Sequence, residues 1–253
     1  MAEDPGGFDP VIDELAGLQR AGRAVVLVHG GGPEIDRALL RQGVPTTRVA
    51  GLRVTDAATL EVTEAVLCAT LNKRLVRALT RAGSRVAGVS GQDGATLVAT
   101  KIQAPDGREL GFVGTVIATD PALLFALLEA GFLPVVSPLA LSSGATHAYN
   151  VNADAAASAI ADALDASALV MLTGVPRLLR DPADPSSSIH RLSLQDAVAF
   201  VDGPACRDGM RPKLNAAITF VSARTGSAYI CATKPGGIAA ALDGDATVVA
   251  NYC

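Results

Sequence analysis

Short apolar runs rich in valine alternate with amphipathic segments along the chain, and this alternation constrains the fold more than any other feature. The run 24–30 (AVVLVHG) is typical of a parallel strand covered on both faces, and the segment 33–43 that follows has the start and stop signals of a helix. Strands that alternate with helices predict an α/β fold, here an open αβα sandwich with a mostly parallel central sheet. Further strands are predicted at 84–90, 132–138, 167–175 and 227–233.

Two regions between these units have their own patterns. One long helix is predicted over 57–82, and two β-like runs at 95–101 and 111–118 are separated by the turn APDGRE. The segment 181–188 (DPADPSSS) is the only linker-like piece, and we expect it near the place where two lobes meet.

Composition excludes several classes of protein. The 253 residues are 49% hydrophobic and 18% charged, with a formal net charge of −4, so no clustered basic patch offers a surface for nucleic acid or an anionic membrane. The longest apolar stretches are too short or too broken by Gly and Pro to span a bilayer, and no signal-peptide pattern is present, so we expect a cytoplasmic protein. The four cysteines lie far apart and indicate neither a zinc site nor a disulfide framework.

Three consecutive glycines, Gly30, Gly31 and Gly32, follow the first strand directly. A single glycine here would be explained by a tight turn, but three leave a strip of backbone N–H groups in front of a helix N-terminus, which favours an anion. The pattern is neither a Walker A loop, since no G-K-[ST] follows, nor a dinucleotide fingerprint. Spacing alone therefore predicts a site for an anion or a phosphate.

Other polar residues occur in places that suit an anionic ligand. Arg53 lies in the short segment GLRVTD and could hold a carboxylate bidentately, the alternative being a surface arginine. Asn150, Asn152 and Asp154 occupy every second position before a helix, so an extended segment would point all three to one side; alternatively, Asn152 or Asp154 caps that helix. Lys213 lies in the first turn of a helix, where an ammonium is unfavourable unless it faces an anion.

The motifs VHGGGPEID, GLRVTDAAT, NKRLV, GFLPVVSP, VNADAAA, LTGVP and DGMRPKLNAA occur together along the chain. In order and spacing this set resembles the amino acid kinase family, and the first, second and fifth motifs resemble its acetylglutamate kinase branch. The resemblance implies an N-terminal lobe, 1–167, that binds N-acetyl-L-glutamate and dimerises, and a C-terminal lobe, 168–253, that binds ATP with Mg²⁺. It also implies phosphorylation of the γ-carboxylate in arginine biosynthesis by a homodimer, with a hexamer as the alternative.

The resemblance assigns substrate-binding roles to five residues. Gly31 and Gly32 are expected at the acceptor carboxylate and the transferred phosphoryl group, Arg53 on the α-carboxylate, and Asn150 on the acetylated amino acid, with Asn152 in the same set.

The resemblance also assigns catalytic and nucleotide-binding roles. Asp154 is expected to organise the catalytic lysines, and Lys213 to stabilise charge on the phosphoryl group. No general base is required, because a carboxylate is already a nucleophile. The metal is expected to arrive with the nucleotide rather than on protein ligands. The residues expected to contact the nucleotide are Gly174, Val175, Pro176, Arg177, Leu178, Leu179, Gly209, Met210 and Lys213.

Two departures from the family pattern stand out. Family members begin with a strand of the type VVKxGG, whose lysine is a second cation on the phosphoryl group, and Met1 matches a methionine that follows that strand. We therefore expect the first strand and its lysine upstream of Met1. In LTGVPRLL, Gly174 stands where the family usually has an acidic residue, and Arg177 stands in place of a glycine.

Two alternative functions remain open at this point. One is a kinase of an aminoadipate derivative in lysine biosynthesis, although GLRVTD favours the glutamate enzyme. The other is a catalytically silent member of the family that binds a ligand or regulates a partner.

Overall fold

The computed structural model describes residues 9–49, 51–181, 183–206, 209–223 and 226–251. These residues fall into two compact units. The central unit is Arg23–Ala156, and the terminal unit combines the described residues of Met1–Gly22 with those of Ala157–Cys253. This division differs from the expected boundary between 167 and 168, and it does not fall at the linker-like piece 181–188.

The helices alternate with strands as the sequence predicts. They are α1 Asp9–Arg20, α2 Gly32–Arg41, α3 Ala57–Glu64, α4 Asn72–Arg81, α5 Ala122–Glu129, α6 Ala153–Ala163, α7 Leu194–Val201, α8 Met210–Ala223 and α9 Gly237–Leu242, with a π-helical segment Ala65–Leu71 and 3-10 turns at Asp93–Ala95 and Pro185–Ser187.

Within the described ranges, the strands lie in two main sheets, two short ribbons and one small barrel. They are β1 Leu27–Val28, β2 Arg48–Val49, β3 Leu52–Arg53, β4 Val86–Ser90, β5 Leu97–Gln103, β6 Glu109–Thr119, β7 Leu133–Ser137, β8 Leu139–Ser142, β9 Ala148–Val151, β10 Ala168–Thr173, β11 Leu178–Leu179, β12 Ser188–Ile189, β13 Arg191–Ser193, β14 Ser227–Ala232 and β15 Thr247–Ala250.

The central unit contains a parallel sheet of order β1-β7-β4. All five residues of β7 are buried, as expected for a strand covered on both faces, and Val135 pairs with both Leu27 and Gly88. This confirms the predicted parallel α/β arrangement. The first strand is shorter than the predicted run 24–30, because ladder pairing extends only over Leu27–Val28.

The same unit contains a closed barrel, β5-β6-β9-β8, that was not predicted. The two β-like runs do form β5 and β6, and they pair antiparallel. Closure depends on β8 and β9, which pair in parallel with β5 and β6 respectively. Gly114 permits this packing, since a Cβ there would lie 2.7 Å from the Cβ of Tyr149.

The terminal unit contains a mixed sheet of order β10-β14-β15-β13, in which only β14 and β15 are antiparallel. Its core includes the fully buried Phe220 and Leu214 of α8. Helix α1 belongs to this unit because the carboxylate of Glu14 accepts hydrogen bonds from the N–H groups of Ile238 and Ala239, at 3.3 and 3.1 Å, in α9. A negative side chain stabilises the positive end of a helix, which gives α1 a specific contact far from it in sequence.

The long helix predicted over 57–82 is interrupted in its middle. The π-helical segment separates α3 from α4, and the N–H of Asn72 donates to the carbonyl of Leu67, five residues earlier. A π-bulge inserts one extra residue into a turn and is frequent at functional sites. Here it ends at Asn72, a fully buried amide next to the candidate active site.

Candidate active site

The three glycines connect β1 to α2, and their backbone donors have no partner within the described residues. The first helical hydrogen bond runs from the N–H of Ile35 to the carbonyl of Gly31, at 2.9 Å. In the described part of the chain, the N–H groups of Gly30, Gly31 and Gly32 donate to no protein acceptor. Three unpaired donors at a helix N-terminus are an arrangement that favours an anion, and the anion site at this loop stays a prediction.

The three glycines differ in how much room surrounds them. A Cβ on Gly31 would lie 2.3 Å from Cδ1 of Leu71 and 2.9 Å from Cδ2 of Leu67, both of which are buried core residues. A Cβ on Gly32 would meet nothing closer than Nη2 of Arg48, at 3.8 Å, and one on Gly30 nothing closer than Cβ of Ala153, at 3.6 Å. Gly31 is therefore required by packing, whereas Gly30 and Gly32 leave space in front of the loop.

Helix α2 holds this loop against the core. Its buried residues Ile35, Ala38 and Leu39 follow the i, i+3, i+4 spacing of one helix face. They pack in one cluster with Leu67 and Leu71 of the π-helical segment. The start of α2 is thus fixed relative to the residues that crowd Gly31.

Arg53 is buried, with only 6% of its surface exposed, so the surface-arginine alternative is wrong. Its Nη1 donates to Asp36 and, at 2.8 Å, to Thr46 Oγ1, and its Nη2 donates to the carbonyl of Gly32 at 3.2 Å. Among the described residues, the Nε–H and one Nη2 hydrogen have no acceptor. The guanidinium is therefore tied to the glycine loop and keeps two donors for a further anion.

Asp36 was not singled out from the sequence. It accepts from Arg53 and, at 3.0 Å, from Arg48. The hydrogen bond from Arg53 is the main cause that lowers the pKa of Asp36 below its ordinary value. The residue lies one helical turn after Gly32 in α2, and that spacing was the available signal.

Asn150 lies in β9 of the barrel and is half-buried. Its Nδ2 donates to Oγ1 of Thr55 at 3.4 Å, and Thr55 in turn donates to the carbonyl of Arg53 at 3.0 Å. The structure thereby links Asn150 to Arg53 through one buried hydroxyl, and their roles at the substrate stay a prediction.

Asn150, Asn152 and Asp154 do not form one extended row, so that expectation is wrong. Strand β9 ends at Val151 and α6 begins at Ala153. The side chain of Asn152 caps this helix, since its Oδ1 accepts from the N–H of Asp154 at 2.9 Å and of Ala155 at 3.1 Å. The capping alternative holds for Asn152, and Asp154 lies in the first turn of α6.

The predicted nucleotide residues lie on the terminal unit. Gly174, Val175 and Pro176 form an exposed loop after β10, whereas Leu178 is buried in the core of the unit. Arg177 pairs with Asp245. The family position usually occupied by glycine therefore carries a cation already engaged by a carboxylate of the same unit.

The remaining predicted residues surround the start of α8. Gly209 is exposed, Met210 begins the helix and packs against the core, and Lys213 lies in the first turn as predicted. Within the described ranges, no three His, Cys, Asp or Glu side chains are grouped so that they could hold a metal ion. No helix among those ranges has the length and apolar character needed to cross a membrane.

Comparison with known proteins gives one consistent result. Residues 1–232 match the model of the amino acid kinase family. The chain is 42% identical over 224 residues to the acetylglutamate kinase of Brevibacillus brevis, covering 88% of this chain and 83% of that one. It is 43% identical over 242 residues to the acetylglutamate kinase of Methanopyrus kandleri, covering 94% and 96%. The crystal structure of N-acetylglutamate synthase from Neisseria gonorrhoeae, complexed with coenzyme A and N-acetyl-glutamate, superposes with a TM-score of 0.82 at 25% identity, over 99% of this chain and 57% of that one.

Proposed function

Because the chain belongs to the amino acid kinase family, we propose that it transfers the γ-phosphoryl group of ATP to the γ-carboxylate of N-acetyl-L-glutamate, in arginine biosynthesis. The observation that carries the proposal is the glycine loop, whose three N–H groups lack acceptors among the described residues, beside a buried arginine that keeps two donors. Such a loop suits an anionic acceptor, and the two acetylglutamate kinases compared above support this choice of acceptor.

The reaction makes modest demands on the protein. One oxygen of the γ-carboxylate forms a bond to the γ-phosphorus while the bond from that phosphorus to the bridging oxygen of ADP breaks, which yields an acyl phosphate and ADP. The nucleophile needs no base, so the protein has to align two anions and offset the charge that develops on the equatorial oxygens. Backbone N–H groups of Gly31 and Gly32 serve this purpose on the central unit, and Lys213 serves it on the terminal unit.

Substrate selection is assigned to the central unit. Arg53 binds the α-carboxylate through its Nε–H and its remaining Nη2 hydrogen, and Asp36 and Thr46 hold the opposite edge of the guanidinium. A bidentate contact of this kind fixes both position and orientation. Asn150 binds the acetylated amino acid, while Asn152 acts through the cap of α6, which sets the position of Asp154.

Nucleotide binding is assigned to the terminal unit. The exposed loop Gly174–Pro176, the backbone of 177–179 and the start of α8 at Gly209 and Met210 form the surface for ATP. Magnesium enters with the nucleotide, whose phosphate oxygens are ligands that this ion prefers, and it offsets their charge. On the central unit, Asp154 is assigned the role of organising the catalytic lysines.

We extend the proposal to the oligomeric state of the protein and its location in the cell. The chain forms a homodimer through the central unit, with a hexamer as the alternative, and acts in the cytoplasm. In the described part of the chain, β4 pairs with no strand other than β7, so a second copy can contact the part of its outer edge that Lys73, which donates to the carbonyl of Gly88, does not occupy. Light scattering coupled to size-exclusion chromatography measures the mass in solution, and a monomer at all concentrations would contradict this part.

Hydroxamate formation tests the proposed activity. The assay follows trapping of the acyl phosphate by hydroxylamine with MgATP and three acceptors in parallel: N-acetyl-L-glutamate, N-acetyl-L-aminoadipate and N-acetyl-L-aspartate. We expect kcat/KM to be highest for the glutamate derivative. A preference for the aminoadipate derivative would shift the function to that substrate, and binding of N-acetylglutamate by calorimetry without any turnover would indicate a silent member of the family.

A further inference from the structure

We propose that His29 and Asn72 are positioning residues, which orient the Gly30–Gly31 peptide so that the N–H of Gly31 faces the reacting anion. The effect of these residues on catalysis rests on the proposed function. Their effect on structure, which is to orient one peptide through a buried chain of hydrogen bonds, can be measured without turnover. Neither residue was singled out from the sequence.

His29 is 3% exposed and lies directly before the glycine loop. Its Nδ1 is 3.1 Å from the carbonyl oxygen of Gly30. A carbonyl only accepts, so Nδ1 carries the hydrogen and donates it. Burial lowers the pKa of His29 below its ordinary value, which keeps the ring neutral and leaves Nε2 as an acceptor.

Asn72 supports the other side of the ring. Its Nδ2 lies 3.4 Å from Nε2 of His29, 2.8 Å from the carbonyl of Val135 in β7 and 3.2 Å from that of Val89 in β4. An amide nitrogen carries two hydrogens and only donates. The shorter contacts to the two carbonyls use both hydrogens, so the longer contact to Nε2 shares one of them, which agrees with an unprotonated Nε2. With 1% of its surface exposed, Asn72 anchors the ring to two strands of the parallel sheet.

The chain makes room for this amide at two points. A Cβ on Gly88 would lie 2.1 Å from Oδ1 of Asn72, so only glycine in β4 lets the amide approach the sheet. The π-helical segment ends at Asn72, whose N–H bonds to Leu67. Lys73 holds the amide of Asn72 against β4, since its Nζ donates to Oδ1 of Asn72 at 3.0 Å and to the carbonyl of Gly88 at 2.8 Å.

The consequence for the loop follows from peptide geometry. In a trans peptide the C=O and the N–H point in opposite directions. The carbonyl of Gly30 is held towards the imidazole of His29, so the N–H of Gly31 points away from it. That N–H has no acceptor among the described residues, and the hydrogen bond behind it fixes the direction in which it donates. Preorganised donors of this kind stabilise developing charge without reorientation during the reaction.

Two substitutions of His29 separate positioning from packing. His29→Asn can place its amide N–H where Nδ1 stands and so retains the donor to Gly30, whereas His29→Gln places its amide near Nε2 and loses that donor. Asn72→Leu removes the support of the ring at similar volume. Ser84→Ala is the control, because Ser84 is buried in the same unit and its hydroxyl has no hydrogen-bond partner among the residues that the structure describes.

We expect His29→Gln and Asn72→Leu to lower kcat by about 10- to 100-fold, the range for a reacting group displaced by about 1 Å, with KM for N-acetyl-L-glutamate changed much less. His29→Asn retains kcat within a few-fold, and Ser84→Ala matches the wild type. In the ligand-free protein, labelled with ¹⁵N-glycine, the amide resonance of Gly31 shifts in His29→Gln and stays near its wild-type position in His29→Asn.

The two readouts distinguish the failure of this inference from the failure of the proposed function. If the wild type shows no turnover with N-acetyl-L-glutamate, the proposed function fails, and the Gly31 resonance still decides the positioning role. If His29→Gln leaves both kcat and the Gly31 resonance unchanged, the positioning role is overturned. It is also overturned if kcat falls as much in His29→Asn as in His29→Gln. The positioning role is also overturned if His29→Gln lowers only the free energy of unfolding, while kcat of the folded fraction stays at the wild-type value.

Discussion

The buried guanidinium of Arg53 donates from one nitrogen to the carboxylate of Asp36 and from the other to the carbonyl of Gly32. The side chain expected to bind the substrate's α-carboxylate is thus hydrogen-bonded directly to the loop expected to bind the phosphoryl group. Because both contacts use the same rigid plane, displacement of Arg53 alters both sites together.

Arg53→Ala therefore weakens binding of N-acetyl-L-glutamate by about 1.5–3 kcal/mol, the scale of a hydrogen bond to a charged group. Calorimetric titration measures the loss. Arg48→Ala is the matched control, since Arg48 contacts the same carboxylate of Asp36 from a half-exposed side chain. Equal affinities of the wild type and Arg53→Ala would remove Arg53 from the substrate site.

Gly31→Ala and Gly32→Ala separate the packing role of the loop from its binding role. The first adds a methyl group against Leu67 and Leu71, so we expect a loss of about 1–3 kcal/mol in the free energy of unfolding. The second comes no closer than 3.8 Å to Nη2 of Arg48, an ordinary van der Waals contact, and changes that free energy by about 0.5 kcal/mol or less, but it occupies the room in front of the loop and lowers kcat/KM. Urea denaturation and steady-state kinetics check the pair. A Gly32→Ala protein with full activity would show that no ligand approaches that glycine.

His29 gives the stability of the protein a defined pH dependence. Since burial lowers its pKa in the folded state, the unfolded chain binds the proton more tightly, and the contribution of neutral His29 is complete above about pH 6.5, the ordinary value for histidine. As pH falls from there through the lowered pKa, that contribution is lost.

Urea unfolding at a series of pH values from 7.5 downward isolates this effect when the wild type is compared with His29→Gln. Carboxylates titrate in both proteins, so the difference between the two curves reports His29. The wild type should lose more stability below pH 6.5 than the variant, and parallel curves would show that the buried ring carries no such linkage.

Gly174→Asp tests the departure in the nucleotide segment. Gly174 is exposed and a Cβ there meets no atom within 4 Å, so the substitution should change the free energy of unfolding by about 0.5 kcal/mol or less. A carboxylate at this position can accept a hydrogen bond from the adenosine, and we expect KM for ATP to fall by about 5-fold, equivalent to a single modest hydrogen bond. Gly174→Ala, which adds only the methyl group, should leave KM unchanged. An unaltered KM in Gly174→Asp would place the adenosine elsewhere.

The sequence predicted the features that depend on local pattern. Valine-rich runs and capped helices mark β4, β7, β10, β14 and most of the helices, because burial on both faces and helix termini leave signatures within a few residues. The glycine loop also depends on local sequence alone, since three glycines before a helix predict unpaired N–H groups there.

Features that depend on tertiary register were missed or predicted wrongly. The sequence of the 57–82 segment predicts one continuous helix. The π-helical turn in it ends at Asn72, whose amide lies against Gly88 and His29, and these residues come from other parts of the chain. Asn152 was ambiguous because a capping amide and a ligand-binding amide look alike in sequence. The barrel closes through parallel pairs between distant strands, and no local signal encodes that pairing.

The most direct test of the central claim is a ³¹P NMR time course of the wild-type chain with MgATP and N-acetyl-L-glutamate. The account predicts that an acyl phosphate resonance and ADP appear at the same rate, and that omission of N-acetyl-L-glutamate abolishes both. ADP formed at the same rate without N-acetyl-L-glutamate, or no ADP at all, would contradict the claim that the glycine loop presents this carboxylate for phosphoryl transfer.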